Sequence, residues 1–321
     1  MGCEYCHLMA CGAGSLVTLA AVRIPIPDDQ SLRFTELAQG SRMIHQVHSQ
    51  VGEPAADSNF FRAAELYPFE SIAQQSRRYL DAAFEHLLFW ADHVAPLKFH
   101  PEQITNFTLR PCLTLARAAL EASAQAVWLL STTDPVECIR RHVCLRRWDL
   151  DERAKWAEGE RKSELRNEDR DLVARVAKVF TTEQVGPPGG YLHVLHLACT
   201  NKDLKLNAGD VERLWRLASG AAHGKQWPDE EFRRPVATAP PELASALFPD
   251  TSAMLEILEV AHQMTQIGAL QHAAYSGADI SALIEDARVW MTESVPLKDG
   301  VSDAVRDWLA RGEVGSPRPH C

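Results

Sequence analysis

The chain has 321 residues, 46% hydrophobic, 24% charged and 7% aromatic, proportions that exclude a disordered, collagenous or low-complexity protein. Its 33 basic against 43 acidic residues give a formal charge of −10, which excludes bulk positive charge as a means of coating nucleic acid and leaves room only for a local basic patch. No run of about eighteen apolar residues is free of charge, so a soluble, cytoplasmic protein without a membrane-spanning helix is expected.

Residues 1–30 read as an extended, cysteine-containing leader. Cys3-Glu4-Tyr5-Cys6-His7 has the C-x-x-C-H pattern of c-type haem attachment, but no charged and apolar export region precedes it. Cys3, Cys6, His7 and Cys11 offer zinc-binding atoms, with His320 or Cys321 as a further ligand if the termini meet. They lack the two separated ligand pairs of a structural site. The expectation is a poorly ordered leader, as from a start codon assigned too early, with no metal and no cofactor. The eight unevenly spaced cysteines read as free thiols. Pro25 and Pro27 keep the end of the leader extended.

Residues 31–311 read as one helical domain and 312–321 as a flexible tail. Ile72, Tyr79, Leu80, Ala83, Leu87, Leu88 and Trp90 form a stripe at helical spacing from Ser71 to His93, stopped by Pro96. Thr108 to Leu130 is apolar nearly all round and predicts a central, buried helix. Its polar pair Arg117 and Glu121, four apart, share a face. Asp134-Pro135 is a helix start, and Val136 to Phe180 reads as one long helix or two in line. Gly186-Pro187-Pro188-Gly189-Gly190 is a loop, and Tyr191 to Cys199 is helix or strand. Asp210 is expected to cap a helix over Val211 to Ala222, Pro228 to Pro241 to be a loop, and Asp250 to open another helix. Ala278 to Met291 and Ser302 to Ala310 complete the set. The predicted fold class is all-α, a multi-helix bundle with a long antiparallel helix pair.

The informative string is Arg213-Leu214-Trp215-Arg216-Leu217-Ala218-Ser219-Gly220-Ala221-Ala222-His223-Gly224. Arg216 and His223 are seven apart, so they fall on nearly the same helical face. The small residues between them allow another helix or a substrate backbone to approach, and Gly224 is a natural stop. An arginine followed, after four to six residues, by a histidine late on a helix of an all-α domain resembles the signature of the HEPN superfamily. Ser219 to Gly224 is similar to the Ser-x-x-x-His-Gly ending of many related bacterial helical proteins. The resemblance is close over Arg216 to Gly224 and loose over residues 91–264. It implies a metal-independent ribonuclease, a toxin or defence effector, with a joint site between paired subunits. On that resemblance Arg216 holds the scissile phosphate, His223 is acid or base at the ribose 2′-hydroxyl, and Ser219, Arg117 and Glu121 support them. RNA, a second copy of the chain and an antitoxin or other protein are the implied partners.

Arg140, Arg147 and Trp148 belong to the most basic stretch of the chain and are candidates for RNA contact. The competing expectation for that stretch is intrahelical pairing with Asp149, Asp151 and Glu152. His193, His196 and Cys199 recur every three residues, as does the Glu259-x-x-His262 pair, but neither has the further ligands that a metal centre needs. The competing functional class is a non-catalytic helical interaction module, in which Arg216 pairs with a carboxylate such as Glu121 and His223 packs between helices.

Overall fold

The computed structural model describes residues 5–8, 22–97, 107–235 and 247–294. Within them are eleven helices and two small antiparallel sheets. Strand β1 (Tyr5–Leu8) pairs antiparallel with β2 (Val22–Pro25), so the described parts of the segment expected as an extended leader are paired strands. Side chains of Cys3, Cys6, His7, Cys11 and Cys321, the helix expected over 302–310 and the tail at 312–321 lie outside the described residues.

Helix α1 (Asp28–Gln50) opens three residues earlier than the periodicity suggested, with Asp28 and Asp29 in its first turn, where the helix dipole favours negative charge. Helix α2 (Asn59–Leu66) is short and capped by Ser58. Helix α3 (Ile72–Val94) starts on the cap Ser71, whose Oγ accepts the Gln74 N–H at 3.2 Å, and ends two residues before Pro96. Helix α4 (Leu109–Leu130) buries Leu113, Ala116, Leu120, Val127 and Leu129 completely and is the centre of the molecule.

Around α4 the other helices are laid by apolar stripes and fixed by polar ties. Helix α3 returns antiparallel to α4, the long pair that the sequence predicts. Helix α10 (Thr251–Ser276) runs parallel to α4, and at their crossing Gly268 sits against Ala126 and Val127. Helix α1 lies parallel to α10, tied by Gln30 to Ser252 at 3.0 Å, Arg33 to Glu259 at 2.6 Å and Ser41 to His262 at 3.1 Å. It lies antiparallel to α3, tied by Arg42 to Asp92 at 2.7 Å and His48 to Asp81 at 2.9 Å. The Glu259 and His262 pair thus serves packing. Helix α11 (Ile280–Ser294) covers α1 with Ala287 and Met291, in one apolar cluster with Met43, Ile44 and Val47.

The charged middle of the chain is two helices that fold back on each other, not one helix or two in line. Helix α5 (Pro135–Trp156) is capped by Asp134, which accepts the Val136 N–H at 2.9 Å. The chain becomes extended at Ala157 and turns through Gly159, whose φ of +54° suits glycine, into α6 (Gly159–Val176). Pairing of Arg147 with Asp169 at 2.8 Å and Arg146 with Glu168 at 3.5 Å shows the antiparallel register. The apolar residues at Leu150, Ala154, Leu165 and Leu172 are buried, and this burial makes the fold-back favourable over a continuous rod.

Candidate functional site

Helix α7 (Tyr191–Ala198) resolves the helix-or-strand ambiguity and leads into α8 (Ala208–Ala222), the helix that carries Arg216. The cap of α8 is Asn207, not Asp210. Its Oδ1 accepts the N–H groups of Gly209 at 2.8 Å and Asp210 at 3.2 Å, and Asp210 lies in the first turn. Val211, Leu214, Leu217, Ala218 and Ala221 face the core, which turns Arg213, Arg216 and His223 outward. His223 is the C-cap residue, and Gly224 ends the helix with a φ of +70°.

The expected close approach along the small-residue stretch is made by the chain itself. Helix α9 (Trp227–Glu231), within the segment expected as a loop, packs on Gly220 so closely that a Cβ there would lie 2.8 Å from the Trp227 ring. Strands β3 (Arg233–Pro235) and β4 (Leu247–Pro249) then form a short antiparallel pair that leads to the α10 cap Asp250. Arg110 of α4 reaches the α8 carboxyl end, donating to the Ala221 and Lys225 carbonyls at 3.0 and 2.8 Å and to Asp229. No local sequence signal marks Arg110, because its partners are more than a hundred residues away.

Arg216 is exposed and donates through Nε to Glu212 Oε1 at 2.7 Å, not to Glu121. Glu212 lies on the same helical stripe and also sits 2.9 Å from His196 Nε2 on α7. The Arg216 hydrogen bond, foremost, together with the charges of Arg216 and His196, holds the Glu212 carboxyl below its usual range. His223 is exposed, and its ring has no hydrogen bond, ion pair or ring contact among the described residues. Ser219 is half-buried between them, and its carbonyl accepts the His223 N–H at 3.1 Å. Arg216 and His223 are separated by roughly 10 Å along the helix axis. The arrangement is an open stripe of Glu212, Arg216, Ser219 and His223, with neither catalytic candidate used to pack a helix.

Arg117 and Glu121 do pair, at 2.7 Å, and Glu121 Oε1 also accepts the Trp215 indole N–H at 2.7 Å. The Arg117 guanidinium lies over the Trp215 ring, 5.6 Å from its centroid. These two residues therefore set the seat of α8 on α4.

The structure places Arg140, Arg147 and Trp148 elsewhere, on α5, which packs against α2, α4 and α6, while α8 packs on α4, α7, α9 and α10. Arg140 is bound to Glu137 at 2.7 Å and to the Gln184 carbonyl at 2.9 Å. Arg147 is bound to Asp169 and to the Val185 carbonyl at 3.1 Å. Trp148 is half-buried with its ring centroid 4.7 Å from that of Tyr191. The basic stretch fastens α5 to its neighbours; Arg146 likewise joins His142 on Glu70, whose carboxyl is lowered to about 2, chiefly by the His142 hydrogen bond. His193 and His196 lie outside the core, and among the described residues no group of three His, Cys, Asp or Glu side chains is placed to hold a metal ion. Cys112, Cys138, Cys144 and Cys199 are free thiols; burial pushes Cys112 and Cys138 up to about 12. No described helix is long and apolar enough to cross a membrane. Compared with known proteins, the chain matches no family model, no curated protein and no solved structure.

Proposed function

We propose that α8 carries the active face of a metal-independent ribonuclease of the HEPN-like kind, a toxin or defence effector that acts in the cytoplasm. The observation that carries this reading is the exposure of the His223 ring, without a partner among the described residues, two turns from the exposed Arg216, whose one ion pair there is with Glu212 of its own helix. Arg216 binds the phosphate and offsets the charge that develops on the phosphorane. His223 removes the 2′-hydroxyl proton as that oxygen attacks phosphorus, or protonates the departing 5′-oxygen. The products are a 2′,3′-cyclic phosphate and a 5′-hydroxyl. One chain presents one such histidine on this stripe, so a homodimer supplies the second proton-transfer group, and an antitoxin or partner protein would act by covering the stripe.

The test is incubation of total RNA and a short synthetic RNA with wild type, His223→Ala and Arg216→Ala in the presence of a chelator, with product ends assayed for cyclic phosphate. Wild type should cut, and His223→Ala should lose about a hundredfold or more. Both exposed substitutions should leave the melting curve in place. An inert wild type rules the nuclease out. A second reading, the non-catalytic interaction module, is favoured by the Glu212 carboxylate on Arg216, which competes with any phosphate; it predicts intact RNA with all three proteins.

A further inference from the structure

We propose that the groove between α5 and α6 binds single-stranded nucleic acid, with Lys162, Arg166 and Arg170 holding successive phosphates and Trp156 stacking a base. This site stands apart from the α8 stripe and does not depend on whether that stripe cuts RNA.

The groove encloses about 680 Å³ between the folded-back helices, with buried Leu150, Ala154 and Leu165 among its lining residues. Five cationic side chains line it against two carboxylates, in a protein whose net charge is −10. On the α5 wall the cations are already neutralised. Arg147 is held by Asp169, and Lys155 is held by Asp151 and Glu152, each at 2.8 Å. The α6 wall differs. Lys162, Arg166 and Arg170 make no ion pair with any carboxylate among the described residues, and Arg170 only donates to the Asn167 amide oxygen. The α6 carboxylates Glu164 and Glu168 are engaged by Arg161 and Arg146 instead.

Lys162, Arg166 and Arg170 recur every four residues, so they line one helical face at intervals of roughly 6 Å. Like charges at that spacing oppose helix formation, and no described carboxylate forms an ion pair with them. An external row of negative charges does, and the backbone of a nucleic acid is such a row. Trp156, next in sequence to the lining residue Lys155, ends α5 and is 85% exposed. Its exposed face is a stacking surface for an unpaired base, and a cationic groove with an adjacent aromatic is how proteins hold single strands.

The experiment measures anisotropy of a fluorescein-labelled oligouridylate of about 12 nucleotides. It uses the full chain carrying His223→Ala, so that cutting and binding are read separately. The triple change Lys162→Ala, Arg166→Ala, Arg170→Ala should weaken binding at least about tenfold and reduce the slope of log affinity against log salt by about 2. Trp156→Ala should weaken binding about tenfold at every salt concentration and leave the slope unchanged. Should the triple variant fail to fold, the exposed pair Arg166→Ala, Arg170→Ala gives the same reading with a slope change of about 1.4. The proposal is overturned if the parent does not bind, if the cation variants keep its slope, or if Trp156→Ala binds as tightly. It is equally overturned if a duplex or inorganic tripolyphosphate competes as well as the single strand.

Discussion

Removing the Glu121 carboxylate should unseat α8 without touching the exposed stripe. Its side chain is 13% exposed and accepts from both Arg117 and the Trp215 indole at 2.7 Å. Hydrogen bonds to a charged partner contribute about 1.5–3 kcal/mol each. The Arg117 head, 18% exposed, recovers part of that by turning to water, whereas the Trp215 N–H is left without its acceptor at about 1–3 kcal/mol. Glu121→Ala should therefore destabilise by about 3 kcal/mol, or roughly 4–6 °C in melting temperature for a chain of this length. Trp215→Phe, which keeps a ring under Arg117, should lose about 1–2 kcal/mol. Urea unfolding of the two single variants and the double variant gives a coupling energy, expected at about 1–2 kcal/mol. If the effects add to within about 0.5 kcal/mol, the Glu121–Trp215 contact does not hold α8, and the reasoning is refuted.

Stability should also fall in mild acid. Burial, chiefly, lowers His262 to about 4 and His272 to about 3, with the charge of Arg33 adding to the first and those of His48 and Arg77 to the second. Both are depressed below the ordinary value of about 6.5. The unfolded chain therefore binds protons that the folded one refuses, and stability present above pH 6.5 is lost as pH falls toward 4. Urea midpoints at pH 7.5, 6 and 5 should decline in step; a flat series would contradict the buried neutral imidazoles. Gly268 lies where a Cβ would meet Leu80 at 2.8 Å and Val127 at 3.4 Å, with Leu80 fully buried. Gly268→Val should cost about 3 kcal/mol through overpacking, read by thermal melting, and Gly268→Ala less because alanine favours the helix by about 1 kcal/mol. A valine variant that melts with the wild type would show that the crossing is loose.

Much of the fold was legible because helices announce themselves locally. The apolar stripe of α3, the all-round apolar α4, the Asp134-Pro135 start and the Asp250 cap depend only on residues within a few turns of one another. The spacing likewise puts Arg216 and His223 on one face, but that this face is exposed was decided by the packing of Leu217, Ala218 and Ala221 into the core. Charged runs are less readable. Residues 136–180 look alike whether they form a rod or a hairpin, and the break at Ala157 to Gly159 carries no proline.

The amino-acid sequence by itself determined that the protein is helical, where most helices begin and end, and which side of each faces inward, because capping and periodicity are short-range. Tertiary structure decided which polar groups find one another: Glu121 with Trp215, Arg110 with the end of α8, and the α5 arginines with Asp169, Glu70 and the carbonyls near residue 184. It also decided, by exclusion, that Lys162, Arg166 and Arg170 have no ion pair among the described residues. Pairing over tens of residues is fixed only when buried apolar faces bring distant segments together, so the most basic stretch of the sequence became internal fastening and the cations without a described ion pair fell on the neighbouring helix.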